Sequence, residues 1–284
     1  MGHCYSLVHL TNLACPPPEF IRVAARAGYD AVSLRTIPLG LPGEQPYDMT
    51  KDPQLLRETR RALSETGIRY TDTEIARIAD GVDVKDHEPA LAAAAEMGVT
   101  HITTNIWIED KARYTEQFIR LCELAKQYGQ NVNVEFVTWS SVADLQQAKS
   151  LLLASKMENV GILVDALHFY RSRVSLDELK GCPKEWFHYV HLCDCPREIP
   201  EDVEALARTG RAERLYPGEG SAPIREIMAG IPNPEVLCGL EVPNLSRLER
   251  LGFEEHARRA LNAAKACLGE NKTKEERNGT YGEI

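Results

Sequence analysis

Short apolar runs rich in β-branched and aromatic residues recur along the chain, separated by longer Ala- and Leu-rich stretches of helical period. The runs predict strands at Cys4–Val8, Ala31–Leu34, Arg69–Thr73, His101–Thr104, Val132–Phe136, Gly161–Val164, His188–Leu192 and Val236–Val242. The stretches between them predict helices near 18–27, 53–66, 87–97, 111–128, 142–154, 175–181, 221–229 and 253–267. Gly28, Gly67, Gly98 and Gly129 each fall just past a helical stretch and just before an apolar run, where a left-handed residue closes a helix at little steric cost. Asp52-Pro53 reads as an N-cap followed by proline at the first helical position. Regular alternation of strand and helix implies a parallel sheet, and a set of eight strands implies closure. The expected fold class is therefore α/β, a single-domain (β/α)8 TIM barrel. No glycine-rich dinucleotide fingerprint follows the first strand, which argues against an open doubly wound sheet.

The 284 residues fit the roughly 250 that such a barrel takes. Residues 1–268 are assigned to the barrel, and 269–284, polar and aperiodic, to a flexible tail. The irregular, charge-rich stretch 196–218 between the seventh strand and its helix is a candidate lid.

Composition narrows the function classes. The formal net charge of −9 repels phosphate backbones, which argues against a nucleic-acid partner. No run approaches the roughly 18 apolar residues a membrane span needs, and the amino terminus lacks the pattern of a signal peptide. Eight cysteines without a framework of spacings suggest reduced thiols, hence a cytoplasmic location. Cys193 and Cys195 sit at alternate strand positions and read as small buried side chains rather than ligands.

In a parallel barrel every strand ends on one face, and the site is assembled from those ends. The fifth strand brings Glu135 there, the sixth Asp165 with His168 three residues on, the seventh His191 and the eighth Glu241. A charged group inside such apolar runs costs several kcal/mol unless it is paired or coordinated. Charged groups on consecutive strand ends point to a shared cation, with Glu135, Asp165, His191 and Glu241 as ligands. A set of carboxylates and one imidazole suits Mn2+ first, with Mg2+, Co2+ and Zn2+ also compatible. Around this set, Trp107 and Trp139 follow strand ends as apolar walls, and Glu74 and His9 are candidate substrate contacts. Arg35 ends the second strand and is a candidate contact for an anion. The turn Pro217-Gly218-Glu219-Gly220 offers backbone amides to an anion, but carries a glutamate of the wrong charge.

The segments VEFVTW, GILVDALHFYRS, HYVHLCDCPRE, YPGEGSAPIREI and GLEVP, in this order and spacing, resemble the sugar phosphate isomerase/epimerase family with the xylose-isomerase-like barrel. The resemblance spans roughly residues 4–267. It implies metal binding by Glu135, Asp165, His191 and Glu241, and a small sugar or sugar-derived substrate. The family's D-x-x-H pattern is met by Asp165 and His168, and its arginine six residues after the metal histidine by Arg197. His168 would then hydrogen-bond a substrate oxygen, and Arg197 would steady a developing negative oxygen. The resemblance also implies a homodimer or homotetramer. The chain departs from the family where relatives carry an acidic residue and it has Ala222-Pro223. It departs again after Glu135, where Phe136 to Trp139 lacks the histidine of some epimerases.

The activity this implies is isomerisation or epimerisation by proton abstraction next to a carbonyl through an enediolate, with Glu135 and Glu241 as the proton-moving pair. Two alternatives stay open. One is a metal-dependent lyase or dehydratase on the same scaffold, acting on a keto-cyclitol, a dehydroshikimate-like acid or a 3-oxo-glycoside. The other is a sugar-binding barrel without turnover. An endonuclease of this fold would need several metals and many more histidines at strand ends.

Overall fold

The computed structural model describes residues 2–40 and 44–270. Its strands are β1 Tyr5–Val8, β2 Ala31–Arg35, β3 Arg69–Glu74, β4 Ile78–Ala79, β5 His101–Thr104, β6 Ile106–Trp107, β7 Asn131–Glu135, β8 Val160–Asp165, β9 Tyr189–Leu192 and β10 Leu237–Leu240. Eight of them close a parallel barrel in the order β1-β10-β9-β8-β7-β5-β3-β2, as the alternation of strand and helix requires. The expected strands all exist, with ends shifted by a residue or two. The remaining pair, β4 and β6, forms a small separate parallel sheet beyond the eight expected strands.

Apolar strand faces pack outward against the helices, where Phe20, Phe118, Leu121, Leu151 and Leu261 are among the buried side chains. The barrel interior is partly polar. Thr103 and the Tyr189 hydroxyl bond at 2.7 Å, and His188 Nδ1 meets Asn133 Oδ1 at 2.6 Å. Gly161 lies beside that pair, where a side chain would strike both Asn133 and His188.

Local signals fix the helices. Asp52 caps Pro53–Thr66 by accepting from the N–H of Gln54 and Leu55. Gly67 ends the same helix in the left-handed region at φ 70°, its N–H donating to Leu63 O. The helix expected at 142–154 begins later, at Leu145, because Asp144 takes the cap position with Gln147 N–H at 2.8 Å. The last helix begins earlier than expected: Leu245–Cys267 is one element broken at Gly252, whose φ is 73°.

The expected lid is only partly irregular, since it contains the helix Val203–Ala212. The chain leaves the barrel after Cys195 and returns through an antiparallel bridge between Asp194 and Leu215. No described helix is long and apolar enough to cross a membrane. Of the expected tail, residues 271–284 lie outside the described residues.

A candidate metal centre at the strand ends

Glu135 is the last residue of β7 and Asp165 the last of β8; His191 lies inside β9, and Glu241 follows β10 directly. Parallel register holds them level: His191 is the Cα partner of both Asp165 and Gly239, and the Glu241 N–H donates to Leu192 O. Gly239 is glycine for a reason visible here, because a Cβ would sit 2.9 Å from the His191 ring. One ligand atom from each of the four side chains lies within 4.8 Å of the others, and all four residues are buried.

Asp165 does two jobs. Its Oδ1 caps the short helix Ala166–Arg171, accepting from the N–H of Leu167 and His168 at 2.8 and 3.1 Å. Its Oδ2 meets the Arg214 guanidinium at 2.5 Å. Arg214 Nη1 also lies 2.9 Å from Glu241 Oε2. Among the described residues His191 Nε2 has no partner at all, and His191 Nδ1 has only Glu241 Oε2, 3.5 Å away and already paired with Arg214. Buried groups of this kind are costly unless something satisfies them. An orphaned imidazole nitrogen converging with three carboxylates fits a divalent cation.

The protonation pattern agrees with crowded negative charge. Burial, then the neighbouring Glu241 charge, pushes Glu135 up to about 8. Burial alone would lower His191, but Glu241, Glu135 and Asp165 overcome it and raise the imidazole to about 10. Burial acts to raise Glu241, yet Arg214 and His191 hold it well below the usual carboxylate range. Groups whose folded pKa is raised contribute stability at low pH and lose it as pH climbs through the folded value. The metal-free protein is therefore expected to lose stability from about pH 4.5 to 8, where the unfolded chain ionises Glu135 and the fold keeps it protonated, and from about pH 6.5 to 10, where the unfolded chain neutralises His191 and the fold keeps it charged. A bound divalent ion replaces those protons, so melting scans with and without metal should diverge most on the alkaline side. Equal pH profiles would contradict this.

Arg214 was not anticipated from the sequence. It stands at the far end of the excursion that begins after Cys195, so no strand or helix period relates it to His191. Arg197, by contrast, is exposed, and among the described residues only its carbonyl is engaged, accepting from the Tyr170 hydroxyl. The inserted helix explains the difference, because the chain is still leaving the barrel at Arg197 and has come back at Arg214.

A chamber of about 50 Å³ opens onto Glu135 and Glu241 and is lined also by His168, Trp107 and Trp139, so these expected site residues are brought together. His168 is buried and accepts from the Thr138 N–H at Nδ1, which leaves its proton on Nε2. Burial lowers it to about 4, so it is a neutral donor. Glu74 is buried and tied to Arg35 at 2.8 Å, and Arg35 lines the chamber. His9 does not line it. The Arg35 N–H donates to His9 Nδ1, and His9 Nε2 faces Cys15 O, so the ring secures the loop after β1. The amides of the Pro217–Gly220 turn are also occupied from within, since Asp194 accepts from Gly218, Gly220, Ala222 and Cys195 N–H, each at 2.9 Å. A larger groove of about 440 Å³ adjoins the chamber through Leu10 and Arg211 and touches none of the four clustered ligands.

Comparison with known proteins agrees with the barrel. Inosose isomerase of Bacillus licheniformis is 28% identical over 113 residues, covering 39% of this chain and 38% of that protein. The match thus spans about two fifths of the curated relative's length. The structure of the IOLI protein with a bound zinc atom superposes with a TM-score of 0.77 at 16% identity, covering 95% of this chain and 99% of that one. D-allulose 3-epimerase from Methylomonas sp. in complex with D-allulose gives a TM-score of 0.66 at 15% identity, covering 93% and 96%. The family model described as a xylose isomerase-like TIM barrel matches residues 21–267, so this chain belongs to the xylose isomerase-like TIM barrel family.

Proposed function

We propose that this protein is a divalent-metal-dependent sugar isomerase or epimerase that moves a proton at a carbon beside a carbonyl. The observation that carries the reading is the buried cluster of Glu135, Asp165, His191 and Glu241 at the mouth of a chamber walled by two tryptophans. Its oxygen-rich donor set favours Mn2+, with Zn2+, Mg2+ and Co2+ as the other candidates. A divalent ion held there supplies Lewis acidity toward a carbonyl and its neighbouring hydroxyl.

The chain's own groups supply the rest. Glu135 and Glu241 both face the chamber, where a substrate carbon would lie. One takes the proton from carbon and the other delivers one. Delivery to the opposite face of the same carbon inverts it, and delivery to the adjacent carbon exchanges aldose and ketose. His168, neutral with its proton on Nε2, donates to a substrate oxygen. Arg214 pairs with Asp165 and keeps Glu241 ionised. Trp107 and Trp139 offer flat apolar faces to a ring and limit water.

The relatives support this reading: one is named an inosose isomerase, and one structural neighbour is an epimerase holding its ketose. The test is incubation of metal-loaded protein with ketoses and inososes in deuterated water. Deuterium entering the carbon beside the carbonyl, together with an epimeric or isomeric product, is the expected result. An unsaturated product would move the assignment to elimination, and absence of exchange on every substrate would contradict it.

A further inference from the structure

The chamber holds more positive charge than a neutral sugar needs. Arg35, Arg77, Arg211 and Arg214 all line it, against Glu135 and Glu241 on the same wall. Arg35 is paired with Glu74, and Arg214 with Asp165 and Glu241. With Glu135 ionised, as metal binding requires, that balances four guanidinium groups against four carboxylates, and the divalent ion leaves the site net positive. The excess falls on Arg77 and Arg211. Among the described residues neither is in an ion pair, and each lies over an indole, Arg77 at 4.9 Å from the Trp107 ring centre and Arg211 at 6.0 Å from Trp139. Two buried nitrogens of this wall have no hydrogen-bond partner, Arg77 Nε and Arg35 Nη1, and Arg35 is only 4% exposed. Burial and then mutual repulsion weaken the hold of Arg77 on its proton, with Arg211 and Arg35 as the repelling charges and Glu44 and Glu135 acting against them. An anion between these groups would satisfy the orphaned donors and relieve the repulsion together.

Two features select the anion. The donors on this wall are guanidinium groups, whose planar fork matches a planar carboxylate pairwise. Phosphate sites commonly use backbone amides at a glycine turn, and the described turn Pro217–Gly220 gives its Gly218 and Gly220 amides to Asp194. We infer that the substrate is a hydroxy-oxo carboxylic acid, a sugar acid rather than a neutral sugar, whose carboxylate sits against Arg77, Arg211 and the free edge of Arg35. This deepens the isomerase reading and rests on it for the reacting carbonyl.

The experiment pairs binding with turnover on the full metal-loaded chain. Calorimetry compares a non-reacting aldonate, the alditol of the same carbon count and the corresponding sugar phosphate; deuterium exchange compares a ketose with its keto acid. The aldonate is expected to bind at least about 10-fold more tightly than the alditol, a factor that Arg77→Gln and Arg211→Gln each reduce by about 10-fold. Melting temperature reports whether either variant is misfolded, and Arg77→Lys, which keeps the charge, should restore part of the affinity. Equal binding of aldonate and alditol overturns the inference, as does tighter binding of the phosphate or arginine variants with unchanged selectivity. If the aldonate binds through these arginines and no substrate exchanges deuterium, the carboxylate site stands and the isomerase reading falls. If a neutral ketose alone is turned over, the reverse holds.

Discussion

Glu135→Gln is expected to reduce turnover by about 10³-fold, within the range lost with a positioned proton-transfer group, while leaving the metal-free fold almost unchanged. The two halves of this result have one cause. In the metal-free protein Glu135 holds its proton to about pH 8, so at neutral pH it already has the shape and charge of an amide. Replacing it removes little that the folded state uses, and the melting temperature of the metal-free variant should stay within about 2 °C of the parent. The stabilisation gained on adding metal should shrink, because a neutral amide oxygen is a weaker ligand than a carboxylate. A variant that keeps full activity, or one that melts far lower without metal, would mean that Glu135 is a structural ion-pair partner.

The second large effect is on stability and lies outside the metal cluster. Asp194 is 1% exposed, and its carboxylate accepts from the backbone N–H groups of Cys195, Gly218, Gly220 and Ala222. Asp194→Ala removes the buried acceptor that all of these donors share, though Gly218 and Gly220 are exposed and can turn to water. The expected loss is about 3–5 kcal/mol, given that each unsatisfied buried group costs about 1–3 kcal/mol and some regain water. For a chain of this size that lowers the melting temperature by roughly 10 °C. Activity should fall as well, because the Asp194–Leu215 bridge anchors the segment that brings Arg214 to Asp165 and Glu241. Glu219→Gln, on an exposed residue of the same turn, is the control and should shift the melting temperature far less. Urea denaturation of both variants checks the prediction.

What the chain disclosed in advance follows from how a barrel is built. Glu135, Asp165, His191 and Glu241 were legible because the fold carries every strand end to one face and each of the four interrupts or ends an apolar run. The caps at Asp52 and Gly67 were legible because a cap is a local pattern of a few residues. Arg214, Arg77 and Arg211 were not. Arg214 and Arg211 return from an excursion of no fixed period, and Arg77 precedes a two-residue strand that exists only because β6 lies beside it. His9 follows a strand as Glu241 does, but the turn His9–Asn12 gives its ring to Cys15 O and the Arg35 N–H instead. The Pro217–Gly220 turn shows the same limit from the other side. Its amides converge as its glycines suggest, yet the anion they hold belongs to Asp194, a partner no spacing rule connects to them.

The cluster at the barrel mouth is tested most directly by anomalous diffraction from crystals of the full chain grown with Mn2+. The account predicts one peak per chain, at coordination distance from Glu135, Asp165, His191 and Glu241 together. A map with no peak there, or with manganese bound only to side chains elsewhere, would contradict it.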